Sequence, residues 1–283
     1  ALGYQPSQHR VPPLAWLNAA YSTTKKPHAS HKGSHGDVAV IGGEGMGLHG
    51  MGMTGAAILA ATAALHAGTG RVILSLLSGS STDSIAPDLM QRDYKCLDLE
   101  KLCVVCGCGG GTAVQTVLSE VLLHSAHLVL DADALNAVAQ DSRLQNGLRQ
   151  RAASKAGSQA TVITPHPLEA ARLLGCNTQQ VQNDRLKAAQ ELAERFQCIV
   201  ALKGSGTVIA APGRTPRINI TGNGRLAIGG TGDVLAGLVG ARIAQGQNTF
   251  EAACAAVAQQ GQVADDWPPG EALTASRLAQ RLA

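Results

Sequence analysis

The segment Asp37-Val-Ala-Val-Ile-Gly-Gly43 opens the part of the chain that sets the fold. Its run of apolar residues, ended by two glycines, predicts a short buried strand followed by a loop. Beyond that loop, Thr54 can cap a helix of small residues over 55–67, and Val72–Leu77 has the pattern of the next strand. Buried strands that alternate with helices indicate a parallel sheet covered by helices.

This alternation continues through most of the chain and implies one mainly parallel sheet with helices on both faces. Further strands are predicted at Cys103–Cys106, His127–Leu130, Thr161–Thr164 and Cys198–Lys203, and further helices at 112–124, 131–140, 168–174 and 181–196. After these, two short strands around Pro212-Gly213 predict a hairpin and therefore an antiparallel edge. The hairpin strands are 207–210 and 217–220, and helices at 233–245, 250–263 and 276–282 follow.

Composition and charge exclude several classes of protein. Of the 283 residues, 45% are apolar and 15% charged, and the net charge is +3. The chain therefore has material for a core but no basic stripe for nucleic acid or for a membrane surface. No stretch approaches the ~20 apolar residues of a membrane span, and the first residues lack the apolar core of a signal peptide. We expect a cytoplasmic protein with an N-terminal arm over 1–36, including a short helix near 13–21, and one domain over 37–283.

The seven cysteines are odd in number and irregular in spacing, which argues for a reducing compartment and against a disulfide framework. Their one cluster is Cys103-x-x-Cys106-x-Cys108, which has neither a second pair nor a His at ligand spacing. We interpret it as a buried strand that runs into a glycine loop, with cysteine as a small apolar residue, rather than as a metal or redox site.

Gly45-x-Gly47-x-x-Gly50 follows a strand and, taken alone, matches the dinucleotide-binding fingerprint. That fingerprint also needs an acidic residue about 20 positions later, at the end of the next strand, and none stands there. A P-loop and a nucleophile elbow are absent from the sequence. The loop over 44–53 is therefore predicted only to lie at the carboxyl end of a strand, where open α/β sheets bind ligands.

The strongest local signal is Ile228-Gly-Gly-Thr-Gly-Asp-Val-Leu-Ala-Gly237, in which glycines lead directly into a helix. Free N–H groups at a helix start form an anion site, the helix dipole adds to it, and a phosphate fits it. Asp233 in the first turn can stabilise the helix start or act as a general base aimed at the same anion. We favour the base, because a carboxylate beside a polyphosphate is unfavourable unless it has chemistry to perform.

Other polar groups follow strands and gather at the same predicted edge of the sheet. Asp131-Ala-Asp-Ala-Leu-Asn136 and Thr164-Pro-His-Pro-Leu-Glu169 both contain residues whose role could be limited to helix capping. Lys203 and the glycines after it could form a hairpin turn or contact a phosphate. Together with Gly107–Gly111, these loops converge on one edge, and the convergence predicts a ligand site.

Six motifs, in this order and at these separations, resemble the ADP-dependent NAD(P)H-hydrate dehydratase family over about residues 30–282. They are Val38-Ala-Val-Ile-Gly-Gly43, Thr54-Gly-Ala-Ala57, Leu130-Asp-Ala-Asp-Ala-Leu-Asn136, Thr164-Pro-His-Pro-Leu-Glu169, Leu202-Lys-Gly-Ser-Gly-Thr207 and Gly229-Gly-Thr-Gly-Asp233. The resemblance implies an α/β fold of the ribokinase-like type, a three-layer sandwich whose mainly parallel central sheet has helices on both faces and an antiparallel edge.

The same resemblance implies the reaction. The substrate would be (6S)-NADHX or NADPHX, the hydrated form of the reduced nicotinamide cofactor. ADP with Mg²⁺ would phosphorylate the 6-hydroxyl group, and elimination of phosphate would return NAD(P)H with AMP as the other product. The family also implies a homotetramer and cooperation with a separate epimerase.

Site residues follow from the matching positions. Asp233 would be the catalytic base, and the anion hole would consist of Gly229, Gly230 and Gly232. The nucleotide would lie along Lys203, Gly204, Ser205, Gly206 and Thr207. The hydrate pocket would include Ala56, Gly109, Asn136 and His166, and Glu169 would help to organise Mg²⁺.

The chain departs from the usual family pattern at four places, one of which is the loop over 44–53, which is longer than usual. Gly107-Cys-Gly-Gly-Gly111 replaces Gly-Pro-Gly-Leu-Gly, 222–227 replaces Gly-Asn-Pro-Gly-Met-Ala, and Gln260-Gly261 replaces His-Gly. These changes touch the walls of the pocket rather than the base, and they leave the substrate preference open.

Two other functions stay open at this point. One is a small-molecule kinase of the same fold, for example one that acts on a thiamin-precursor alcohol, and the other is a non-catalytic nucleotide sensor. The motifs over 130–136 and 164–169 argue against the kinase. The intact Asp233 argues against the sensor, which has no need of a base.

Overall fold

The computed structural model describes residues 13–21, 28–46, 52–77, 86–153 and 160–283, which build one ten-stranded sheet. The strands are β1 (Trp16–Leu17), β2 (Asp37–Gly42), β3 (Arg71–Leu76), β4 (Met90–Gln91), β5 (Cys103–Cys106), β6 (His127–Leu130), β7 (Thr161–Ile163), β8 (Ile199–Leu202), β9 (Val208–Ala211) and β10 (Arg214–Ile218). Their order is β1-β10-β9-β8-β7-β6-β5-β2-β3-β4. All neighbours are parallel except β9, which is antiparallel to both β8 and β10.

Helices cover both faces of this sheet. The described helices are α1 (Thr54–His66), α2 (Gln115–His124), α3 (Ala132–Gln140), α4 (Ser142–Ala152), α5 (Pro167–Leu174), α6 (Thr178–Asn183), α7 (Arg185–Phe196), α8 (Thr231–Ala244), α9 (Thr249–Asp265) and α10 (Ala275–Gln280). Helices α1, α8, α9 and α10 pack in one apolar core, and α2 to α7 pack in the other. The predicted three-layer arrangement is therefore confirmed.

Alternate residues of the central strands serve the two cores. In β2, Val38 and Val40 belong to the core under α1 and α8, whereas Ala39 and Ile41 belong to the core under α2 and its neighbours. All four side chains have no exposed surface. Burial on both faces explains why the strands are continuous apolar runs, and why those runs identify them in the sequence.

Helix α8 lies unusually close to its neighbours, because glycine replaces a side chain at the contacts. A Cβ placed on Gly237 would stand 2.0 Å from the carbonyl oxygen of Ala60 in α1. One placed on Gly240 would stand 2.5 Å from a methyl group of Val105 in β5. The backbone of α8 is thereby held directly against α1 and the centre of the sheet.

The predicted helix near residues 13–21 is wrong. Trp16–Leu17 form an edge strand instead, parallel to β10, so the antiparallel hairpin is not the outermost part of this side of the sheet. The backbone N–H of Asn18 donates to Ile218 O at 2.8 Å, and its side-chain amide donates to Cys254 O at 2.8 Å. Pairing with an open sheet edge overrides the local helical pattern, which is a tertiary effect.

The second wrong prediction is the single helix over 181–196. The structure divides it into α6 and α7 at Asp184, whose carboxylate accepts a hydrogen bond from the Lys187 N–H and caps α7. A short polar side chain that bonds to the backbone in this way competes with helix continuation. Helix α4 was not predicted. Asp141 caps it as Asp184 caps α7, since its carboxylate accepts a hydrogen bond from the Arg143 N–H.

Other parts of the chain fit the sequence-based expectations or lie beyond the description. All seven cysteines are free, and Cys103 and Cys106 are buried in β5, where burial raises the pKa of each thiol to about 12.

Among the described residues, no helix has the length and apolar character needed to cross a membrane. The middle of the loop over 44–53, including Gly47 and Gly50, lies outside the described residues. The division into an arm over 1–36 and a domain over 37–283 stays a prediction.

The close packing of α8 leads to a stability prediction. Gly237→Ala should lower the free energy of unfolding by about 1–3 kcal/mol, because the added methyl group has to displace backbone. In an open helix the same change would stabilise by up to ~1 kcal/mol. Gly55→Ala, in the first turn of α1 with nothing within 4 Å of the added Cβ, is the matched control and should be neutral or stabilising. Urea unfolding followed by circular dichroism measures both, and equal stability of the two variants would contradict the close contact.

Candidate active site

The strand order brings the predicted polar loops together at one edge. Strands β2, β5, β6, β7 and β8 are consecutive neighbours and parallel, so their carboxyl ends lie side by side. The loops that follow them carry Gly107–Gly111, Asp131, His166 and Lys203. This edge is where open α/β sheets bind ligands.

Helix α8 begins at the same edge with an open N-terminus. Its N-cap residue is Gly230, in a left-handed conformation (φ +91°), and no described side chain caps the helix. The first N–H groups of a helix have no partner within it, so those of Thr231–Asp233 can bind an anion. A Cβ on Gly232 would stand 3.2 Å from Lys203 Nζ, which places a cation beside the helix start.

Lys203 is held there by Asp131. The Nζ of Lys203 lies 2.7 Å from Asp131 Oδ1, and Asp131 is almost completely buried at the end of β6. Burial alone would lower the pKa of Lys203, but the attraction of Asp131 and of Glu169 outweighs it and the pKa is raised. The ammonium group therefore stays charged and fixed next to the open helix start.

Asp131 is absent from the predicted site residues: its motif counts toward the predicted ligand edge, but the residue itself has no predicted role beyond helix capping. It makes no side-chain capping bond to α3. A signal was present, however: Asp131 and Lys203 each come directly after a buried strand, and opposite charges at such positions predict a pair at the carboxyl edge.

Asp233 lies against this pair and beside Cys108. The Cys108 Sγ and carboxylate oxygens of Asp131 and Asp233 are all within 4.8 Å of one another. Burial raises the pKa of Asp233 to about 6, the negative charge of Asp131 adds to the shift, and Cys108 and Lys203 oppose it. A carboxylate with a pKa near 6 is ionised at neutral pH yet basic enough to accept a proton.

A cleft of about 610 Å³ opens next to the cluster, within the usual size range for small-molecule sites. The cleft is lined by the five residues along which the nucleotide is predicted to lie and by one residue of the predicted anion hole. These are Lys203, Gly204, Ser205, Gly206, Thr207 and, from the anion hole, Gly232. Gly229, Gly230 and Asp233 are not among the lining residues. Asp233 directly follows Gly232, which lines the cleft, and lies near Lys203, which lines it as well.

Arg185 of α7 holds the β8–β9 loop from behind. Its guanidinium donates to the carbonyl oxygens of Leu202 at 3.0 Å and Lys203 at 3.1 Å, and also to that of Ser205. Gly204 adopts φ +143° against this guanidinium, and an added Cβ would stand 2.8 Å from it. These contacts fix the backbone of the loop along the cleft.

The predicted hydrate-pocket residues have separate surroundings in the structure. Gly109 packs against α1, because a Cβ there would stand 2.9 Å from the Cβ of Ala56. His166 follows β7, and burial followed by the charge of Lys203 lowers its pKa. The side-chain oxygen of Asn136 accepts a hydrogen bond from Arg172 at 2.6 Å. The structure thus brings Ala56 and Gly109 together and places His166 near Lys203 and Asp131, while their roles stay predictions.

Glu169 helps to cap the start of helix α5. It accepts a hydrogen bond from the His166 N–H at 2.7 Å, while His166 Nδ1 accepts from the Glu169 N–H at 3.3 Å, so the two residues form a capping pair. Burial raises the pKa of Glu169 to about 7. These contacts favour capping, and the predicted part of Glu169 in organising Mg²⁺ stays a prediction.

Among the described residues, Cys108, Asp131 and Asp233 form the one group with the spacing of a metal site. The donors do not fit a resident Mg²⁺, which prefers hard oxygen ligands in near-octahedral geometry. Burial raises the pKa of the Cys108 thiol well above its usual range, so it stays protonated, and Lys203 already pairs with Asp131.

Comparison with known proteins agrees with this geometry. The sequence model of the NAD(P)H-hydrate dehydratase family matches residues 38–283. The ADP-dependent (S)-NAD(P)H-hydrate dehydratase of Neisseria meningitidis serogroup B is 38% identical over 267 residues, which cover 90% of this chain and 84% of that protein. The bifunctional NAD(P)H-hydrate repair enzyme of Escherichia coli is 36% identical over 245 residues, covering 83% of this chain but only 44% of its own length.

A solved structure supports the fold. The ADP/ATP-dependent NAD(P)H-hydrate dehydratase of Bacillus subtilis, co-crystallised with ATP/Mg²⁺, superposes with a TM-score of 0.74 at 27% identity, with 91% of each chain covered. The sheet order and the two helical layers are those of the ribokinase-like sandwich that the sequence predicted. The chain therefore belongs to the NAD(P)H-hydrate dehydratase family.

Proposed function

We propose that the protein catalyses the ADP-dependent dehydration of (6S)-NAD(P)H hydrate and so restores NAD(P)H. The observation that carries the proposal is the Asp233 carboxylate, with a pKa raised to about 6, in the first turn of an uncapped helix and beside the Lys203–Asp131 ion pair. A proton acceptor and an anion site adjoin there, as a phosphoryl transfer to a hydroxyl group requires.

Hydroxide is a poor leaving group, so the 6-hydroxyl has to be converted into an ester first. Asp233 takes the hydroxyl proton while the oxygen bonds to the terminal phosphorus of ADP, and the bond from that phosphorus to the AMP oxygen breaks. The phosphate then leaves C6 with the bonding electrons, pushed by the lone pair of the ring nitrogen. Loss of a proton from C5 restores the dihydronicotinamide ring, and the products are NAD(P)H, AMP and phosphate.

The chain's own residues would stabilise the moving phosphoryl group. The ammonium of Lys203 lies beside the start of α8, since a Cβ on Gly232 would stand 3.2 Å from its Nζ, and preorganised donors stabilise developing charge with no reorganisation during the reaction. Asp131 fixes the ammonium, and Arg185 fixes the loop along which ADP would lie. Gly229, Gly230 and Gly232 keep the anion-hole role that the family resemblance implies, and Gly232 is the one of the three that lines the cleft.

Mg²⁺ is part of the proposal as the counter-ion of the nucleotide. Mg²⁺ usually retains water and is bound through one or two carboxylates together with substrate phosphates. Because the described residues do not offer a resident site, we place the ion on the phosphates of ADP, where it would neutralise charge. The Bacillus subtilis relative was co-crystallised with ATP/Mg²⁺.

The remaining family properties are also proposals for this chain. We expect a homotetramer in the cytoplasm. We also expect a separate epimerase to supply the reactive epimer, since relatives such as the Escherichia coli protein are bifunctional repair enzymes about twice as long as the matched region.

Asp233→Asn should leave ADP binding almost unchanged and lower turnover about 10²–10⁴-fold, because an amide keeps the shape but does not accept the proton. Isothermal calorimetry measures ADP affinity, and the absorbance of the regenerated dihydronicotinamide ring measures turnover of purified NADHX. Asp184→Asn, at a helix N-cap where Asn caps as well as Asp, is the matched control and should behave as wild type. Near-full activity of Asp233→Asn would contradict the base. Phosphorylation of an alcohol without return of NADH would instead support the kinase, and binding without turnover the sensor.

The pH dependence follows from the same carboxyl group. The base works when deprotonated, so kcat/KM should rise with pH through about 6, the pKa to which burial raises Asp233, and level off above it. Glu169, whose pKa burial raises to about 7, is the other carboxyl group whose ionisation could cause this rise, the acid limb of the pH profile. Glu169→Gln should leave the limb where it is in wild type. An acid limb centred near pH ~4, the ordinary pKa of Asp, would contradict the assignment, and so would an acid limb that disappears in Glu169→Gln.

Removal of the Lys203–Asp131 pair tests phosphate binding. The double variant Lys203→Met/Asp131→Asn removes both charges together, so no unpaired buried carboxylate destabilises the fold. Loss of a charge-assisted contact to phosphate should weaken ADP binding at least about tenfold, or ~1.4 kcal/mol. Lys187→Met, an exposed lysine on α7, is the control. Calorimetry with ADP and with AMP separates the effect on the terminal phosphate, and equal affinity of the double variant and wild type for ADP would refute the contact.

A further inference from the structure

Cys108 stands at a place that the backbone leaves little freedom to change. It is the only residue with a side chain between Gly107 and Gly111. A Cβ on Gly107 would stand 2.1 Å from Asp131 O, and one on Gly42 would stand 2.4 Å from Cys108 O. The Cys108 carbonyl also accepts a hydrogen bond from the Gly43 N–H at 3.0 Å. Tight backbone contacts on both sides therefore fix the direction of the Cys108 side chain.

That direction leads to the two carboxylates of the site. The thiol has no exposed surface, and its Sγ and carboxylate oxygens of Asp131 and Asp233 are mutually within 4.8 Å. Asp131 already accepts a hydrogen bond from Lys203. For Asp233, a side-chain donor within that distance is the Cys108 thiol, which favours the ionised carboxylate.

The thiol is a donor and not a nucleophile. Burial first, and then the negative charges of Asp233 and Asp131, raise the pKa of Cys108 well above its usual range. A protonated thiol in this position acts as a hydrogen-bond donor. Asp131 already has Lys203 as a side-chain donor, so the Asp233 carboxylate is the acceptor that remains for the thiol. This separates Cys108 from Cys103 and Cys106, whose pKa is shifted by burial alone.

We propose that Cys108 is a positioning residue for Asp233: its S–H donates a hydrogen bond to one carboxylate oxygen and leaves the other free for the substrate hydroxyl. The proposal rests on the proposed function, in which Asp233 accepts that proton. It also assigns a role to the position where this chain departs from the usual family pattern, since proline at 108 has no group that could donate to the carboxylate.

The hydrogen bond has a predictable effect on the base. A donor to the charged form favours that form, so the thiol opposes the effect of burial on Asp233. The charged and titratable groups that face Asp233 are Cys108 from the loop after β5, Asp131 from the end of β6 and Lys203 from the end of β8. Removal of the thiol alone leaves the other two in place and should make Asp233 harder to ionise.

The first test is the pH profile of kcat/KM in the full-length protein. In Cys108→Ala the acid limb should move upward by roughly 0.5–1 pH unit, while KM for ADP stays near wild type, because only the hydrogen bond to the charged form is lost. Cys108→Ser, whose hydroxyl also donates, should return the limb to the wild-type position or below it. Cys198→Ala is the matched control, since Cys198 is also buried but its pKa is shifted by burial alone. An unmoved limb in Cys108→Ala, or an equal shift in Cys198→Ala, would overturn the proposal.

A second measurement does not depend on activity. The infrared S–H stretching band of Cys108, isolated as the difference between wild type and Cys108→Ala, should shift between pH 5 and 7 as Asp233 titrates near 6. The corresponding band of Cys198 should not shift, and in Asp233→Asn the Cys108 band should become independent of pH. A Cys108 band that ignores pH in wild type overturns the proposal. If the band titrates in a protein without dehydratase activity, the proposed function fails and the Cys108–Asp233 contact stands.

Discussion

The active-site edge depends on how closely helix α8 approaches the sheet. Gly237 and Gly240 let its backbone contact Ala60 and Val105 directly, with no side chain between them. A bulkier helix would stand further from the sheet, and its N-terminus would move away from the ends of β6 and β8. The positions of Gly232 beside Lys203 and of Asp233 beside Asp131 are consequences of that contact. Core packing and the chemistry of the site are therefore one constraint in this protein.

The charges of the site keep Asp233 basic beside a helix start that can bind an anion. Two carboxylates, Asp131 and Asp233, face a single ammonium group, Lys203. Asp131 and Lys203 neutralise each other, which leaves Asp233 as the carboxylate whose ionisation burial opposes. The start of α8 provides the positive partial charge for a phosphoryl group. The base is thus basic enough to take a proton but remains ionised at neutral pH.

The departures from the usual family pattern at Gln260 and Cys108 have local structural explanations. The Gln260 side-chain amide donates to Thr231 O at 2.7 Å and so ties α9 to the start of α8. Within 222–227, Asn223 matches the usual pattern, and its side-chain amide donates to Ala264 O and to Asp265 Oδ1, each at 2.9 Å, which anchors the segment after β10 to the end of α9. These contacts attach the walls of the cleft to α9, and Cys108 adds a donor beside the base.

The sequence by itself determined the sandwich, the central strands and the motif-bearing loops, because strands buried on both faces are continuous apolar runs and their carboxyl ends must share an edge. It also indicated Asp233 and the glycines before it, since an uncapped helix start is a local property. Only the tertiary structure decided the rest. Residues 13–21 form a strand because β10 offers an open edge, Asp184 divides one predicted helix by bonding to backbone, and Asp131 pairs with Lys203 across β7. The edge strand and the ion pair depend on partners distant in sequence, and the helix break depends on the direction of one side chain, which hydrophobic periodicity does not determine.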